Sequence, residues 1–277
     1  MAYNAQDELK KVKEYYSEDP LQKRFSALIT GDTNAGKTFI LRTARKPVHV
    51  DSFDPGGTKC LLDLIKTGDI VADTQWETDD PFEPKAFAEW KRAVDRRMHV
   101  GYYDQFGTVC IDSATTFGEA IMNYGMGSRG RAGEVPQHRK DYNPQKVEMT
   151  NYIRKLMNLP CDFILTGHLR ENKELIMVDA STGVRREDIT YRFYTTGQAV
   201  VTIPLLFDEV YVIVGKGNPP KREMLIDSLG KYVARSRLKR DGKLDATEPP
   251  DIKALLKKAG FSHEDKPKLK EVSDSKD

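Results

Sequence analysis

The sequence predicts an α/β fold in which helices flank a largely parallel central sheet that has an antiparallel hairpin at its edge. Short apolar runs alternate with amphipathic stretches, which is typical of strand–helix–strand units. In one such run, Val109, Cys110 and Ile111 are uninterrupted by polar residues, as in a strand with both faces buried. The apolar stretches 207–215 and 221–227 are joined by a Gly-Asn-Pro-Pro segment, which favours the edge hairpin.

The first predicted element is an amphipathic helix at 5–16, in which Leu9, Val12 and Tyr16 share one face. We expect it either to pack on the domain or to contact a neighbouring subunit. The central strands are expected at 25–30, 47–53, 69–76, 107–112 and 161–168, with a polar hairpin at 171–197. Helices are expected at 36–45, 87–97, 117–124 and 149–156.

These elements predict one domain with short appendages. With 277 residues, of which 39% are hydrophobic, the chain is long enough to bury a large core. We expect an N-terminal helical arm at 1–20, an α/β core at 21–245, a short helix at 246–263 and a tail at 264–277. The tail has no aromatic residue and alternates charges, so we expect it to be disordered.

Composition indicates a cytoplasmic protein without a strong overall electrostatic field. The 44 basic and 42 acidic residues give a net charge of +2, so nucleic acid binding would need a local basic patch. The widely separated Cys60, Cys110 and Cys161 are interpreted as reduced core thiols, not as a disulfide framework or zinc site. Because no apolar run approaches about 18 residues and no signal-peptide core is present, we expect no membrane partner.

The stretch ALITGDTNAGKTFILRTAR contains the GxxxxGK[ST] pattern of a phosphate-binding loop between an apolar and an amphipathic run. Backbone N–H groups of such a loop converge on an anion, next to the positive end of the following helix. Lys37 would reach the outer phosphates of ATP, and the Thr38 hydroxyl would bind Mg²⁺. A glycine-rich turn without a ligand is the alternative. The predicted cofactor-binding residues are Gly31, Asp32, Thr33, Asn34, Ala35, Gly36, Lys37 and Thr38.

Asp112 ends the buried strand in TVCIDS and is predicted to complete the magnesium shell with Thr38. An aspartate in this position can instead cap the following helix by accepting backbone N–H groups. The phosphate loop upstream favours the metal role, because a hydrolysed nucleotide needs such a carboxylate.

Four segments in order, GDTNAGKT, VDSFDPGG, TVCIDSATTF and FILTGH, resemble the core of RecA-type recombinases. The closer resemblance is to phage nucleotide-binding proteins of the RecA-like single-strand annealing class, the Sak type, over roughly 24–240. It implies a RecA-like P-loop NTPase core that uses ATP and Mg²⁺ through Lys37, Thr38 and Asp112. It also implies that His168 senses the γ-phosphate, although a histidine hydrogen-bonded at a strand end is the alternative.

The catalytic base is where the chain departs from the family pattern. Phe53 stands where the family carries a glutamate that polarises the attacking water. Asp54 is one candidate replacement, and Glu119, on the helix after Asp112, is the second. Asp54 could instead cap the DPGG turn. The departure implies either slower hydrolysis or a different base.

Two basic segments follow strands at the predicted nucleotide end of the sheet, where the family carries its DNA-binding loops. Basic side chains neutralise a phosphate backbone, and aromatic side chains stack unpaired bases. In a hairpin, aromatic residues can instead pack across strands. The predicted nucleic-acid-binding residues are Arg129, Arg131, Arg139 and Lys140 at 125–140, and Arg185, Arg186, Arg192 and Phe193 at 170–198.

Arg235 and Arg237 follow the edge hairpin and resemble the basic pair that, in RecA-type filaments, reaches the γ-phosphate of a neighbouring subunit. If they act in this way, activity depends on assembly. A solvated basic strand is the alternative.

The resemblance implies an ATP-dependent recombinase that binds single-stranded DNA, is stimulated by it, and anneals or pairs strands as a homo-oligomeric ring or filament. It further implies a phage origin, the host cytoplasm as compartment, and a single-strand-binding or replication protein as a further partner. The alternatives are a P-loop motor, such as a helicase or DNA-packaging ATPase, and an ATP-binding switch with little hydrolysis.

Overall fold

A computed structural model describes residues 4–18, 24–137, 139–179, 184–195, 199–216, 221–239 and 242–269. The strands in this part of the chain are β1 Ser26–Gly31, β2 Val48–Ser52, β3 Ile70–Asp73, β4 Thr108–Asp112, β5 Asp162–Asp179, β6 Val184–Phe193, β7 Glu209–Lys216, β8 Lys221–Leu225, β9 Arg235–Ser236 and β10 Thr247–Glu248. The helices are α1 Ala5–Glu18, α2 Leu62–Lys66, α3 Ala86–His99, α4 Ala114–Gly127, α5 Tyr142–Leu156, α6 Ala199–Thr202 and α7 Ile252–Ala259. Short 3₁₀ segments lie at Phe39–Thr43, Gly57–Leu61, Tyr102–Gln105 and Pro204–Leu206.

The strands form a sheet in the order β10-β8-β7-β1-β5-β4-β2-β3, in which β6 pairs with β5 and β9 with β7. The neighbouring strands from β7 to β3 are parallel, whereas β8 pairs antiparallel with β7. This confirms the predicted fold class, an α/β fold with a largely parallel sheet, flanking helices and an antiparallel edge hairpin.

The register of the parallel strands brings the ends of four strands to one edge of the sheet. Gly31 at the end of β1 is level with His168 on β5, and Ser52 at the end of β2 is level with Asp112 at the end of β4. Parallel α/β sheets bind ligands at this carboxyl edge. The fold therefore collects the predicted phosphate loop, metal ligand and sensor in one place.

Both faces of the sheet are covered by apolar side chains. On one face, Phe87, Trp90 and Phe117 of α3 and α4 form an aromatic cluster with the strands. On the other face, Ile40 and Leu41 from the 3₁₀ segment pack with strand residues and with α7. These layers fix the helices that carry the site.

The helical segment that follows the phosphate loop is shorter than the sequence predicts. A helix over 36–45 was the expectation, but only the 3₁₀ segment Phe39–Thr43 forms. The Thr43 hydroxyl donates to the carbonyl oxygen of Ile40 at 2.7 Å and accepts from the N–H of Ile252 at 3.0 Å, and β2 begins five residues later, at Val48. A single 3₁₀ turn has little macrodipole, so the phosphate site depends on local N–H groups and cations.

The charged segment predicted as a tail from residue 264 contacts the domain in its first six residues. Asp265 accepts from the backbone N–H of Lys46 at 2.6 Å and pairs with Lys253 at 2.6 Å, and Leu269 packs against the core. The expectation of disorder is corrected for 264–269, and 270–277 lie outside the described residues. One apolar side chain packed on the core, Leu269, and the carboxylate of Asp265 are enough to hold this charged segment on the domain.

The apolar residues of α1 lie on the surface of the described chain. Leu9, Val12 and Tyr16 are 50%, 59% and 65% exposed. Packing of this face on the domain, one of the two expectations, is therefore not seen among the described residues. None of the helices in these residues has both the length and the apolar character needed to cross a bilayer.

The aromatic cluster should dominate the stability of the helical layer. We expect Phe117→Ala to lower the free energy of unfolding by about 3–5 kcal/mol, because Phe117 is fully buried and its removal leaves a cavity. Urea denaturation measures this change. Phe82→Ala is the matched control, since Phe82 is 73% exposed and its loss should cost less than about 1 kcal/mol. Equal losses in the two variants would contradict the assigned core.

Candidate nucleotide-binding site

The phosphate loop leaves β1 at Gly31 and turns through Asn34 and Gly36, whose φ angles are 64° and 103°. A Cβ at Gly31 would lie 2.8 Å from the carbonyl oxygen of Ile213 on β7, so glycine is needed for this close approach. Positive φ at Gly36 is equally suited to glycine. The result is a tight loop at the carboxyl end of β1, of the kind that binds anions through its backbone.

Lys37 lies inside this loop and is 7% exposed. Its Nζ donates to the carbonyl oxygens of Gly31 at 3.1 Å and Asp32 at 2.9 Å, and lies 3.4 Å from Nδ1 of His168. Burial lowers the pKa of Lys37, and nearby carboxylates, Asp112 first, offset part of this effect. The ammonium is thus held by loop carbonyls that phosphate oxygens can replace.

The predicted metal ligands are in direct contact. The Thr38 hydroxyl donates to Oδ2 of Asp112 at 2.7 Å, and the Thr166 hydroxyl donates to Oδ1. Burial raises the pKa of Asp112, and the hydrogen bonds from the two threonines only partly offset this. The first residue before α4 is Ser113, so Asp112 does not cap that helix. A hydroxyl and a carboxylate at this spacing are the oxygen ligands that Mg²⁺ prefers.

Asp54, and not Phe53, reaches the site. Phe53 is 3% exposed, and its ring lies 5.0 Å from that of Phe117 in the core. Oδ1 of Asp54 accepts from the hydroxyls of Ser113 at 2.9 Å and Thr116 at 2.5 Å. These donors come from the start of α4, so Asp54 is fixed next to the metal ligand rather than only capping its own turn.

His168 lies between Lys37 and Asp54. Its Nε2 is 3.9 Å from Oδ2 of Asp54, while Nδ1 faces the ammonium of Lys37. An ammonium can only donate, so Nδ1 accepts and we assign the ring proton to Nε2, on the side of Asp54. Burial raises the pKa of Asp54, but the nearby ring of His168 and the hydrogen bonds from Thr116 and Ser113 together lower it below its usual value.

Lys37, Thr38, Asp54 and His168 line a cleft of about 570 Å³, within the range of roughly 300–1,000 Å³ typical of ligand sites. Further lining residues that the sequence did not indicate are Pro55, Lys59, Cys60 and Arg222. Cys60 is exposed, which corrects its assignment as a core thiol, whereas Cys110 and Cys161 are buried. No local motif marks Arg222, because it comes from a strand that is distant in sequence.

Glu77 is a further residue near the site that the sequence did not indicate. Its carboxylate accepts from the Ser52 hydroxyl at 2.7 Å and from the Gly56 N–H at 2.8 Å. It therefore holds both ends of the short segment that carries Asp54. Its position after β3, at the carboxyl edge of the sheet, is the signal that could have identified it.

Glu119, the second candidate base, is exposed on α4, one turn after Thr116. The carboxyl group at the tip of this side chain is partly desolvated, which raises the pKa of Glu119, and the negative charge of Asp54 raises it further. Glu119 does not line the cleft described above, whereas Asp54 does.

Arg235 and Arg237 lie away from the phosphate loop of their own chain. Arg235 is level with Val210 near the start of β7, whereas Gly31 is level with Ile213 further along that strand. The Arg235 guanidinium donates to two backbone carbonyls at 2.8 Å, and Arg237 pairs with Asp208 at 2.7 Å. The side chain of Arg237 is 62% exposed, so it is the more accessible of the two.

The basic loop after α4 is held together by an acidic residue just beyond the predicted segment. Buried Asp141 pairs with Arg129 at 2.5 Å and with Arg131 at 2.8 Å. Both arginines, predicted to bind nucleic acid phosphates, are thus engaged in ordering the loop, and their contact with phosphates stays a prediction. Arg139 and Lys140 are exposed, and neither has an ion pair among the described residues.

The predicted hairpin is a ribbon formed by β5 beyond His168 and by β6. Arg185 and Arg186 are exposed, and Arg192 lies 3.9 Å from Glu174. Phe193 is 4% exposed and packs closely on Gly167, so it cannot stack bases, which corrects that prediction.

The aromatic residues beside Phe193 differ in exposure. The ring of Tyr191 stacks on that of Tyr232 at 5.2 Å, in agreement with the packing alternative. Tyr194 is 41% exposed and is the aromatic residue of this segment that remains accessible.

Replacing the buried carboxylate should stabilise the protein in the absence of nucleotide and metal. We expect Asp112→Asn to raise the free energy of unfolding by about 1 kcal/mol at neutral pH, because the amide removes a buried charge. The raised folded-state pKa means that this gain is full above that pKa and disappears as pH falls towards the unfolded-state value of 3.8.

Urea denaturation at several pH values measures the effect of Asp112→Asn. Asp95→Asn is the control, because Asp95 is 48% exposed and its change should stay within about 0.5 kcal/mol. Destabilisation by Asp112→Asn at neutral pH would mean that the charge is not penalised by burial.

Comparison with known proteins agrees with this geometry. The model of the AAA domain family AAA_24 matches residues 23–238, which is more than half of the chain. No curated protein matches the chain significantly.

Among solved structures, the chain is similar to a prototypical ATPase from the type III secretion system of pathogenic bacteria, with 14% identity and a TM-score of 0.40. That match covers 69% of this chain and 52% of the ATPase, so the chain spans about half of the ATPase's length. It is also similar to the flagellar accessory protein FlaH from Methanocaldococcus jannaschii, with 14% identity and a TM-score of 0.37 over 78% of this chain and 86% of FlaH. From the family match, the chain belongs to the AAA domain family of P-loop NTPases.

Proposed function

We propose that the protein is an ATPase that binds single-stranded DNA and couples the state of its nucleotide to its grip on the strand. In this proposal it acts in strand annealing or pairing as a homo-oligomer, as the resemblance to phage Sak-type recombinases implies. The observation that carries the proposal is the position of His168, which contacts the phosphate site and begins the basic ribbon.

ATP binding is assigned to the phosphate loop. The backbone of 31–38 would surround the phosphates, and Lys37, which donates to the carbonyl oxygens of Gly31 and Asp32, would donate to outer phosphate oxygens instead. Thr38 and Asp112 would hold Mg²⁺, which neutralises phosphate charge when it is bound. Thr166 keeps the Asp112 carboxylate oriented.

Hydrolysis is assigned to a water positioned by Asp54. A carboxylate oxygen of Asp54 accepts a hydrogen bond from the water, which attacks the γ-phosphorus while the bond to the ADP oxygen breaks. The proton leaves with phosphate or passes to Asp54, and Lys37 offsets charge on the transferred group. Because the pKa of Asp54 is low, it orients the water more than it deprotonates it, and turnover is expected to be slow.

The coupling path runs along β5. His168 is the last β5 residue paired with β1, and the next residue, Leu169, begins the pairing with β6. The His168 carbonyl also accepts the N–H of Tyr194 at 2.7 Å, so both strands of the ribbon are tied to this histidine. A phosphate that displaces His168 from Lys37 would therefore move the base of the ribbon.

The DNA-binding surface is assigned to the exposed basic residues of the ribbon and of the loop before α5. Arg185 and Arg186 on β6 are adjacent, so they point to opposite faces of the ribbon. Arg139 and Lys140 add charge from the loop before α5. These side chains can neutralise phosphates without reading sequence. Arg237, exposed next to the start of β7, is assigned as the residue that would reach a neighbouring subunit's phosphate.

A second candidate function is an ATP-dependent switch with little hydrolysis. The observation in its favour is Phe53, which occupies the family's glutamate position and is buried in the aromatic cluster. In that case ATP binding alone would rearrange His168 and the ribbon.

Single-stranded DNA should increase phosphate release from ATP. Lys37→Ala is expected to lower turnover by roughly 100-fold or more, because it removes a cation from the transferred phosphate, and to abolish the response to DNA. Steady-state phosphate release with and without an oligonucleotide, over a range of protein concentrations, measures both effects. A wild-type rate that does not respond to DNA would argue against the recombinase proposal.

The ribbon should supply part of the affinity for DNA. Arg185→Ala/Arg186→Ala is expected to reduce the salt slope of single-strand binding by about 1.4, since each phosphate contact contributes about 0.7. Fluorescence anisotropy at several salt concentrations measures the slope. Arg92→Ala/Arg96→Ala on α3 is the control with the same loss of exposed charge. An equal reduction of the salt slope in both variants would mean that the ribbon is not part of the DNA-binding surface.

Two variants separate the candidate bases and the switch. We expect Asp54→Asn to lower the turnover number by roughly 100-fold while ATP affinity changes little, and Glu119→Gln to leave turnover within about threefold of wild type. Single-turnover hydrolysis and ATP binding measure the two quantities. The reverse order would assign the base to Glu119, and tight ATP binding by wild type without phosphate release would favour the switch.

A further inference from the structure

Arg222 on β8 lies over the phosphate loop of its own chain. A Cβ on Gly36 would be 3.2 Å from both Cδ and Nε of Arg222, and 3.3 Å from its Cζ. Nη2 of Arg222 is 3.4 Å from the carbonyl oxygen of Asn34. The guanidinium therefore covers the 34–36 part of the loop from the edge hairpin formed by β7 and β8.

The guanidinium of Arg222 has spare donors. It carries five N–H groups, and the hydrogen bond to Asn34 is long. The guanidinium is 5.8 Å from the ring centre of Phe39, on which Arg42 also lies, at 5.2 Å. Arg42 is neutralised by two hydrogen bonds of 2.5 Å to Asp63, whereas no carboxylate among the described residues pairs with Arg222.

The location of Arg222 within the cleft differs from that of the other charged groups. Lys37, His168 and Asp54 form a connected set at the end assigned to the outer phosphate. In P-loops the backbone N–H groups of the loop cradle the α- and β-phosphates, and Arg222 covers the 34–36 part of this backbone. An unpaired guanidinium is suited to two phosphate oxygens at once.

We propose that Arg222 binds the α- and β-phosphates of the nucleotide from the same chain, so that it holds ADP and ATP equally. This rests on the proposed ATP site and adds a binding residue to it. Because Arg222 would contact phosphates that ADP retains, it should contribute to the affinity for both nucleotides. Its loss is therefore expected to raise KM for ATP, and it also lowers kcat to the extent that Arg222 offsets the charge that develops on the leaving ADP.

Calorimetric binding of ADP and of a non-hydrolysable ATP analogue, with Mg²⁺, tests this assignment. We expect Arg222→Ala to raise both dissociation constants by the same factor of about ten or more, which corresponds to about 1.4 kcal/mol. KM for ATP should rise in parallel with these dissociation constants. Arg222→Lys keeps the charge but loses the planar fork, so its affinities should be intermediate.

Lys221→Ala is the matched control, because Lys221 is the adjacent exposed cation on β8 and its side chain points to the opposite face. It should bind both nucleotides like wild type. Weakening of only the ATP analogue by Arg222→Ala would place the residue at the γ-phosphate and overturn the proposal. Unchanged affinities would overturn it as well, and so would equal losses in Lys221→Ala.

The ATP site and the role of Arg222 are contradicted by different results. If wild type binds and hydrolyses ATP but Arg222→Ala is unaltered, the ATP site stands and the role of Arg222 is wrong. If wild type binds neither nucleotide, the ATP site itself is wrong, and the assignment of Arg222 falls with it. Near-ultraviolet circular dichroism of Arg222→Ala and Arg222→Lys checks that both variants are folded, so that a lower nucleotide affinity does not reflect a loss of structure.

Discussion

The negative charge of a carboxylate buried at the end of β4 has to be offset by hydrogen-bond donors and cations, and the groups that do so form the site. Asp112 accepts hydrogen bonds from Thr38 in the phosphate loop and from Thr166 on β5, and lies near the ammonium of Lys37. Its backbone carbonyl accepts the N–H of Phe53 at 2.6 Å, which fixes the chain that leads to Asp54. Burial still raises the pKa of Asp112, so the site holds an incompletely compensated negative charge that a divalent cation would satisfy.

The coupling proposed between the phosphate site and the ribbon would pass through the same edge of the sheet. His168 belongs both to the parallel sheet and to the base of the ribbon, and its two ring nitrogens face Lys37 and Asp54. A change of partner at either nitrogen alters a residue that two paired strands share. Coupling through one continuous strand needs no rearrangement of the core, which the clusters on both faces of the sheet keep rigid.

The parts of this site that the sequence predicts are those encoded by local patterns. The phosphate loop and Asp112 follow from a glycine motif and a buried strand, and parallel pairing brings them together. Arg222 and Glu77 could not be found in this way, because they reach the site from elements that are far away in sequence. Phe193 was misassigned because the buried face of a ribbon depends on its register, and a shift of one residue exchanges the faces. The ion pairs of Arg129 and Arg131 could not be predicted from the basic segment, because their partner, Asp141, lies one residue beyond it.

The central claim is that Thr38 and Asp112 form the metal end of a nucleotide site in the phosphate loop. A crystal structure with Mn²⁺ and a non-hydrolysable ATP analogue tests it most directly, because the anomalous signal of manganese locates the metal independently of the nucleotide. The account predicts one manganese peak next to the Thr38 hydroxyl, on the side of Asp112, with the phosphates inside the loop and Lys37 turned towards them. A loop without phosphates, or manganese bound away from Thr38 and Asp112, would contradict it.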